Sequence, residues 1–225
     1  MVACHLIAAF TAVKLPATGT TGAPSRSVWR DLFGGLSYVG RRRALPVILG
    51  LALARALLGM PYRTLMPKFA KKSEDNVPRV GGKLLAGPGI GSLVSSLVLA
   101  SLGDFRQKGR LFMVAGVFLG ACLAVFVNLS TFPLVFVVLI LVGATGNACM
   151  VVNNTILQAN IEDHFRGRVM SVYMLMFGLG MLGTIPAGAV SDLMGVRFVV
   201  TVQVVLFAAV FLLVMLFRPD VRRME

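Results

Sequence analysis

Residues 111–161 form an unbroken run of 51 residues without a single Asp, Glu, Lys or Arg. A hydrocarbon core of about 30 Å is crossed by about 20 apolar residues in a helix. The run is too long for one crossing and too apolar to face water. The segment NLSTFP at 128–133 is a turn signal that divides it in two. The rest of the chain has the same character, with 57% hydrophobic and 14% charged residues and a mean hydropathy of +0.84. Soluble domains carry about a quarter charged residues. A chain of 225 residues cannot hide this much apolar surface from water, but it can leave it in lipid.

Six spans are expected, at about 45–67, 84–103, 111–127, 133–157, 169–191 and 198–217. Their length fits helices, because barrel strands alternate in character and these runs do not. The expected fold class is an all-α membrane bundle of six helices. Residues 16–27 (PATGTTGAPSRS) have linker composition. Residues 28–43 mix aromatic and aliphatic side chains with Arg30 and Asp31 and end in Arg41, Arg42 and Arg43. They read as a short interfacial helix on an anionic surface, with Trp29 and Tyr38 suited to the headgroup layer; a plain solvated linker is the other reading. Residues 1–15 lack a basic n-region and are too short to span a bilayer. The division is then 1–15, linker 16–43, helical lobe 44–217 and a polar tail 218–225.

The formal net charge is +13, which has two readings. Basic residues neutralise phosphates in nucleic-acid binding, and they gather in the cytoplasmic loops of membrane proteins. Here they sit between apolar runs and build no soluble basic face, so no nucleic-acid partner is expected. With residues 41–43 inside, the inner segments hold 11 Lys and Arg and the outer ones 6. That bias puts both ends in the cytoplasm, although 68–83 carries five basic residues outside. Cys4, Cys122 and Cys149 have no metal-ligand spacing and read as small packing residues. With two His in the chain, no metal or cofactor is expected. No phosphate-cradling G-x-x-x-x-G-K-[ST] loop and no catalytic constellation is present, so an enzyme is not expected.

Polar residues inside spans are costly, and they single out candidate sites. Arg55 lies near the middle of the first span, where a charge costs at least ~2.5–3.5 kcal/mol on insertion scales. Asn147, Asn154 and Gln158 recur at i, i+7 and i+11, one face of the fourth span. A shared water-filled cavity would relieve all four, and it would take a small-molecule substrate. Hydrogen bonding between helices is the alternative for the amides. Gly87, Gly91 and Ser95 make a small-residue stripe on the second span. Gly183 and Pro186, with Gly180 and Gly188, suit close approach or a bend in the fifth. Generic packing explains these glycines equally well.

A resemblance to a known family rests on the loops. RGRVMSVYMLMFGLGMLGTIPAGAVSDLMGVRFVV begins with Arg166, Gly167 and Arg168 and carries Gly188, Asp192, Gly195 and Arg197. It resembles the R-G-R-V-x-S and G-x-x-x-D-x-x-G-x-R patterns of major facilitator transporters. ASLGDFRQKGR, with Asp104, Gly109 and Arg110, is similar to the same motif. It departs from it by two extra residues after Asp104 and by Ala100 in place of the first Gly. Asp31, Leu32, Gly35, Leu36, Tyr38, Val39, Arg41 and Arg42 resemble the linker before helix seven in the drug and siderophore exporter group that includes macrolide efflux proteins and the enterobactin exporter.

The resemblance implies that the six spans are helices seven to twelve, one lobe of a two-lobed transporter, and that residues 1–15 are the end of helix six. It implies gating roles for Asp104, Arg110, Arg166, Arg168, Asp192 and Arg197, and spans three and six facing lipid. It further implies proton-driven antiport, an efflux activity exporting small amphipathic molecules such as drugs or siderophores by alternating access. The expected partners are membrane lipid and either the N-terminal half of the transporter or a second copy. A non-transporting truncated membrane protein, or a scaffold acting through partners, is the competing class.

Overall fold

A computed structural model describes residues 28–42, 44–59, 77–103, 107–129 and 131–218. Among them are eight helices and no strand. They are α1 Val28–Arg41, α2 Leu45–Leu58, α3 Val77–Leu102, α4 Lys108–Asn128, α5 Phe132–Asn160, α6 Asp163–Leu182, α7 Thr184–Met194 and α8 Val196–Phe217. Five stretches are long and apolar enough to cross a membrane, with α6 and α7 together making one of them. The sixth apolar helix, α2, has 14 residues and closes at Gly59, whose N–H donates to the Arg55 carbonyl at 2.9 Å. The remainder of the span expected over 45–67 lies outside the described residues, as do Arg63 and Asp104.

Local chemistry sets most of the boundaries. Pro46 and Pro133 sit in the first turns of α2 and α5, where a missing N–H costs nothing. Gly103 and Gly195 end α3 and α7 with φ of 59° and 86°, a region open to glycine at little cost. The span expected at 169–191 is divided between α6 and α7. It breaks at Gly183, which comes within 3.0 Å of a Leu57 methyl when given a Cβ.

The helices pack in a chain of neighbours. α3 lies on α5, α5 on α4, α4 on α8, α8 on α2 and α2 on α6, while α2 also touches α5 across the middle. The core between them holds Ile48, Leu49, Phe112, Leu139, Ile156 and Phe207. Glycines permit the closest approaches. A Cβ on Gly91 would stand 1.9 Å from the Ile140 carbonyl oxygen, and one on Gly143 would stand 2.2 Å from that of Pro88. α3 and α5 therefore touch backbone to backbone, as small-residue stripes allow in lipid. A Cβ on Gly180 of α6 would stand 2.8 Å from the Ala56 methyl and 3.0 Å from the Ala56 carbonyl oxygen on α2.

The third span, α4, is apolar for a reason beyond contact with lipid. Phe112, Met113, Leu119, Leu123 and Phe126 are buried inside the lobe, while Val114, Phe118 and Val125 stay exposed. In α8, Val200, Val204, Phe207 and Phe211 pack inward while Val205, Leu213 and Leu216 face out. Each helix thus has one face for the lobe and one for its surroundings.

α1 is docked, not loose. A Cβ on Gly35 would come 2.8 Å from the Arg168 carbonyl oxygen. Tyr38 stacks on Phe165 with ring centroids 4.3 Å apart. Arg42 pairs with Glu162, and Arg168 Nε pairs with Asp31 at 3.1 Å. The face carrying Phe33 and Leu36 stays exposed.

Candidate functional site

The end of α5 builds the polar feature nearest to a binding site. Asn154, Thr155 and Gln158 line an open groove of about 400 Å³ together with Val151 and Ala159. Helical spacing puts 151, 154, 155 and 158 on one face. Gln158 Nε2 donates to Asn154 Oδ1 at 3.0 Å, which orients both amides along the groove. Thr155 donates to the Val151 carbonyl at 2.9 Å. A smaller crevice of about 80 Å³ shares Val151 and Thr155 and runs to Leu102, Gly103 and Lys108 at the α3–α4 junction. Acceptors, donors and apolar walls together suit an amphipathic ligand held by a few polar contacts.

The four residues expected to share one space are placed separately. Asn154 and Gln158 stand in the groove. Asn147 donates from Nδ2 to the Ser92 carbonyl at 3.2 Å and to Ser96 Oγ at 2.9 Å, so its amide is spent on α3. Ser95, one residue from that contact, is buried. Arg55 is inside the lobe with 6% of its surface exposed, its guanidinium 5.2 Å above the Phe177 ring. It does not line the groove.

The charged loop residues gather at the ends of α5 and α6. Arg166 pairs with Asp163 at 2.8 Å and reaches the Gln158 carbonyl at 3.4 Å, linking the loop to the groove. Arg168 is turned toward α1 through Asp31 and lies over Phe165 at 5.6 Å. Arg110 donates to Gln107 at 2.8 Å. Asp192 and Arg197 are exposed on either side of the Gly195 turn. Gly87 packs on Leu139 so closely that a Cβ would stand 3.2 Å from the Leu139 Cβ, and Pro186 is exposed in the first turn of α7.

Several participants escape sequence reading. Glu162 and Asp31 answer Arg42 and Arg168 across more than a hundred residues, which no local pattern reveals. Asn153 and Tyr173 are buried and Gln203 is half-buried, each with a buried side-chain polar atom that has no partner. A lone polar residue in an apolar run was the available signal. No group of His, Cys, Asp or Glu among the described residues is arranged to hold a metal.

Comparison with known proteins places this architecture. The family model described as "Transmembrane secretion effector" matches residues 1–225. The multidrug efflux pump Tap of Mycolicibacterium fortuitum is 28% identical over 201 residues, covering 86% of this chain and 48% of that protein. The staphyloferrin A transporter of Staphylococcus aureus is 24% identical over 140 residues, covering 61% and 34%. The multidrug resistance protein MdtG of Erwinia billingiae is 30% identical over 155 residues, covering 67% and 38%. The chain thus spans at most about half the length of these relatives. No solved structure matches. The chain is a multi-pass membrane protein, and it belongs to the transmembrane secretion effector family of the major facilitator superfamily.

Proposed function

We propose that this chain is one lobe of a secondary-active exporter of small amphipathic molecules, drugs or siderophores, working by alternating access in a bacterial inner membrane. The carrying observation is the groove at Asn154, Thr155 and Gln158, a polar strip on the open face of α5 near its C-terminal end. Three hydrogen-bonding side chains on one face of a span are retained where they meet water or a ligand. The relatives' names, a multidrug efflux pump and a staphyloferrin A transporter, support the same substrate class. Two lobes rocking about a midplane site is the general scheme for such folds. The second lobe would come from an N-terminal half or another copy, and it would cover the exposed apolar faces of α3 and α6, which include Leu93, Leu97, Met174 and Leu175.

The Lys and Arg distribution supports both ends in the cytoplasm. The groove then lies toward the cytoplasmic half, where an exporter loads. The test is efflux of a fluorescent amphipathic cation from cells carrying this chain with a matching six-helix first half. Asn154→Leu with Gln158→Leu should cut the efflux rate about tenfold, a loss of about 1.4 kcal/mol of transition-state binding, at unchanged membrane abundance. Undiminished efflux in the double variant would remove the groove from the transport path.

A further inference from the structure

The groove at Asn154 and Gln158 does not end at the strip of α5 that walls it. Val151 and Thr155 line both the groove and the crevice of about 80 Å³ at the α3–α4 junction, so the two spaces adjoin along these residues. From Gln158 back to Val151 is seven residues, about 10 Å along the helix axis. The groove walls offer two amides, a hydroxyl and apolar groups, none of them ionised. Among the described residues that line the two spaces, Lys108 alone carries a charge.

The two ends of this strip differ in their electrostatics. At the Gln158 end, Arg166 reaches the Gln158 carbonyl at 3.4 Å, but Asp163 pairs with it at 2.8 Å and offsets its charge. None of the described acids, Asp31, Glu162, Asp163 and Asp192, lines the groove or the crevice. Lys108 is half-buried beside the crevice, whereas Arg110, two residues on, is exposed. A half-buried charge is screened less than an exposed one.

The position of Lys108 in its helix adds to the effect. It is the first residue of α4, and Gln107 supplies no side-chain cap there. The backbone dipole makes that end of a helix positive and favours an anion. The ammonium and the dipole therefore act in the same direction on the crevice. An ammonium has three N–H donors and no acceptor, so it can bind a ligand carboxylate alongside a bond made within the protein.

We infer that Lys108 sets the charge preference of the groove, favouring amphiphiles that carry a carboxylate over those that carry a cation. The inference rests on the groove reading proposed above. The carboxylate meets Lys108 in the smaller space, and the body of the molecule lies past Thr155 along Asn154 and Gln158 in the larger one. A charge-assisted bond is about twice as strong as a neutral one. A cationic amphiphile uses the amide strip without that bond and meets a like charge at Lys108.

The test is equilibrium binding to the full chain in nanodiscs of zwitterionic lipid, with binding to empty nanodiscs subtracted. The ligands are naphthylbutyrate and naphthylbutyltrimethylammonium, which share an aromatic body and differ in the charge of the head. The carboxylate should bind saturably and about tenfold tighter than the cation. Lys108→Gln should remove that difference, and Lys108→Glu should reverse it. Arg41→Gln, which takes a positive charge from the exposed surface of α1, should leave it unchanged. The readout is a ratio between two ligands on one protein, so a partly unfolded variant lowers both and leaves the ratio in place. Asn154→Leu with Gln158→Leu should weaken both ligands alike. An equal preference in Lys108→Gln and the parent protein, a preference for the cation, or no saturable binding of the carboxylate overturns the inference. Unchanged binding of both ligands to the double variant overturns the groove reading instead.

Discussion

Gly91→Ala tests the contact on which the α3–α5 pair depends. The added Cβ would stand 1.9 Å from the Ile140 carbonyl oxygen and 2.8 Å from the Ala144 nitrogen, both backbone atoms that no rotamer change removes. Ordinary contact begins near 3.4 Å, so the helices must part by the difference, 3.4 minus 1.9 or 1.5 Å. At that separation the Asn147 bonds of 3.2 Å and 2.9 Å to Ser92 and Ser96 stretch beyond hydrogen-bonding range. Overpacking costs about 1–3 kcal/mol, and interhelical hydrogen bonds in lipid average about 0.6 kcal/mol each. The total is about 3 kcal/mol, or about 6–12 °C in Tm for a chain of this size. The control is Gly89→Ala on the same helix, where a Cβ meets nothing within 4 Å and the gain in helix propensity is slightly stabilising. Thermal unfolding in one detergent should separate the two variants. If Gly91→Ala melts with Gly89→Ala, the backbone contact is not what holds α3 in place.

Gly35→Ala should undock α1, because its Cβ would sit 2.8 Å from the Arg168 carbonyl; a spin label at Ser37 should gain mobility, while Gly40→Ala, which meets nothing within 4 Å, leaves it unchanged. Gly195→Ala forces an L side chain to φ 86° and ψ 145°, a conformation that costs about 1–3 kcal/mol, and should lower Tm by several degrees, which a melting curve reads directly. The Asp31–Arg168 and Arg42–Glu162 pairs are partly exposed, so a double-mutant cycle on either pair should give about 0–1 kcal/mol and shrink further in 1 M salt.

The spans were legible because lipid leaves few options. A run without charge must become helix, and NLSTFP, Gly103 and Gly195 mark where the chain turns. The ends were less legible. α3 begins at Val77 and α6 at Asp163, several residues ahead of the apolar cores expected from 84 and 169, because helices continue through polar residues until a cap or turn stops them. The groove was partly legible. The i, i+7, i+11 spacing drew Asn147 into the same face as Asn154 and Gln158, yet Asn147 lies alongside α3 at Ser92 and Ser96, while α3 ends at Leu102 near Val151 and Thr155 and leaves the groove at Asn154 and Gln158 open.

What the sequence alone determined is solvent and element type, since apolar length, charge position and breaker residues act through the chain's own neighbourhood. The partners of each polar group were decided by tertiary structure. Asn147 binds Ser92 and Ser96, Arg42 binds Glu162, and Asp31 binds Arg168 because α1, α3, α5 and α6 come together in space. Arg55 is the sharpest case. The sequence marked a charge at mid-span and grouped it with the amides of the fourth span in one water-filled cavity. The packing of α2 against α5, α6 and α8 instead buries the guanidinium inside the lobe, away from the groove. Burial and pairing depend on contacts between residues far apart in the chain, and no local pattern encodes those.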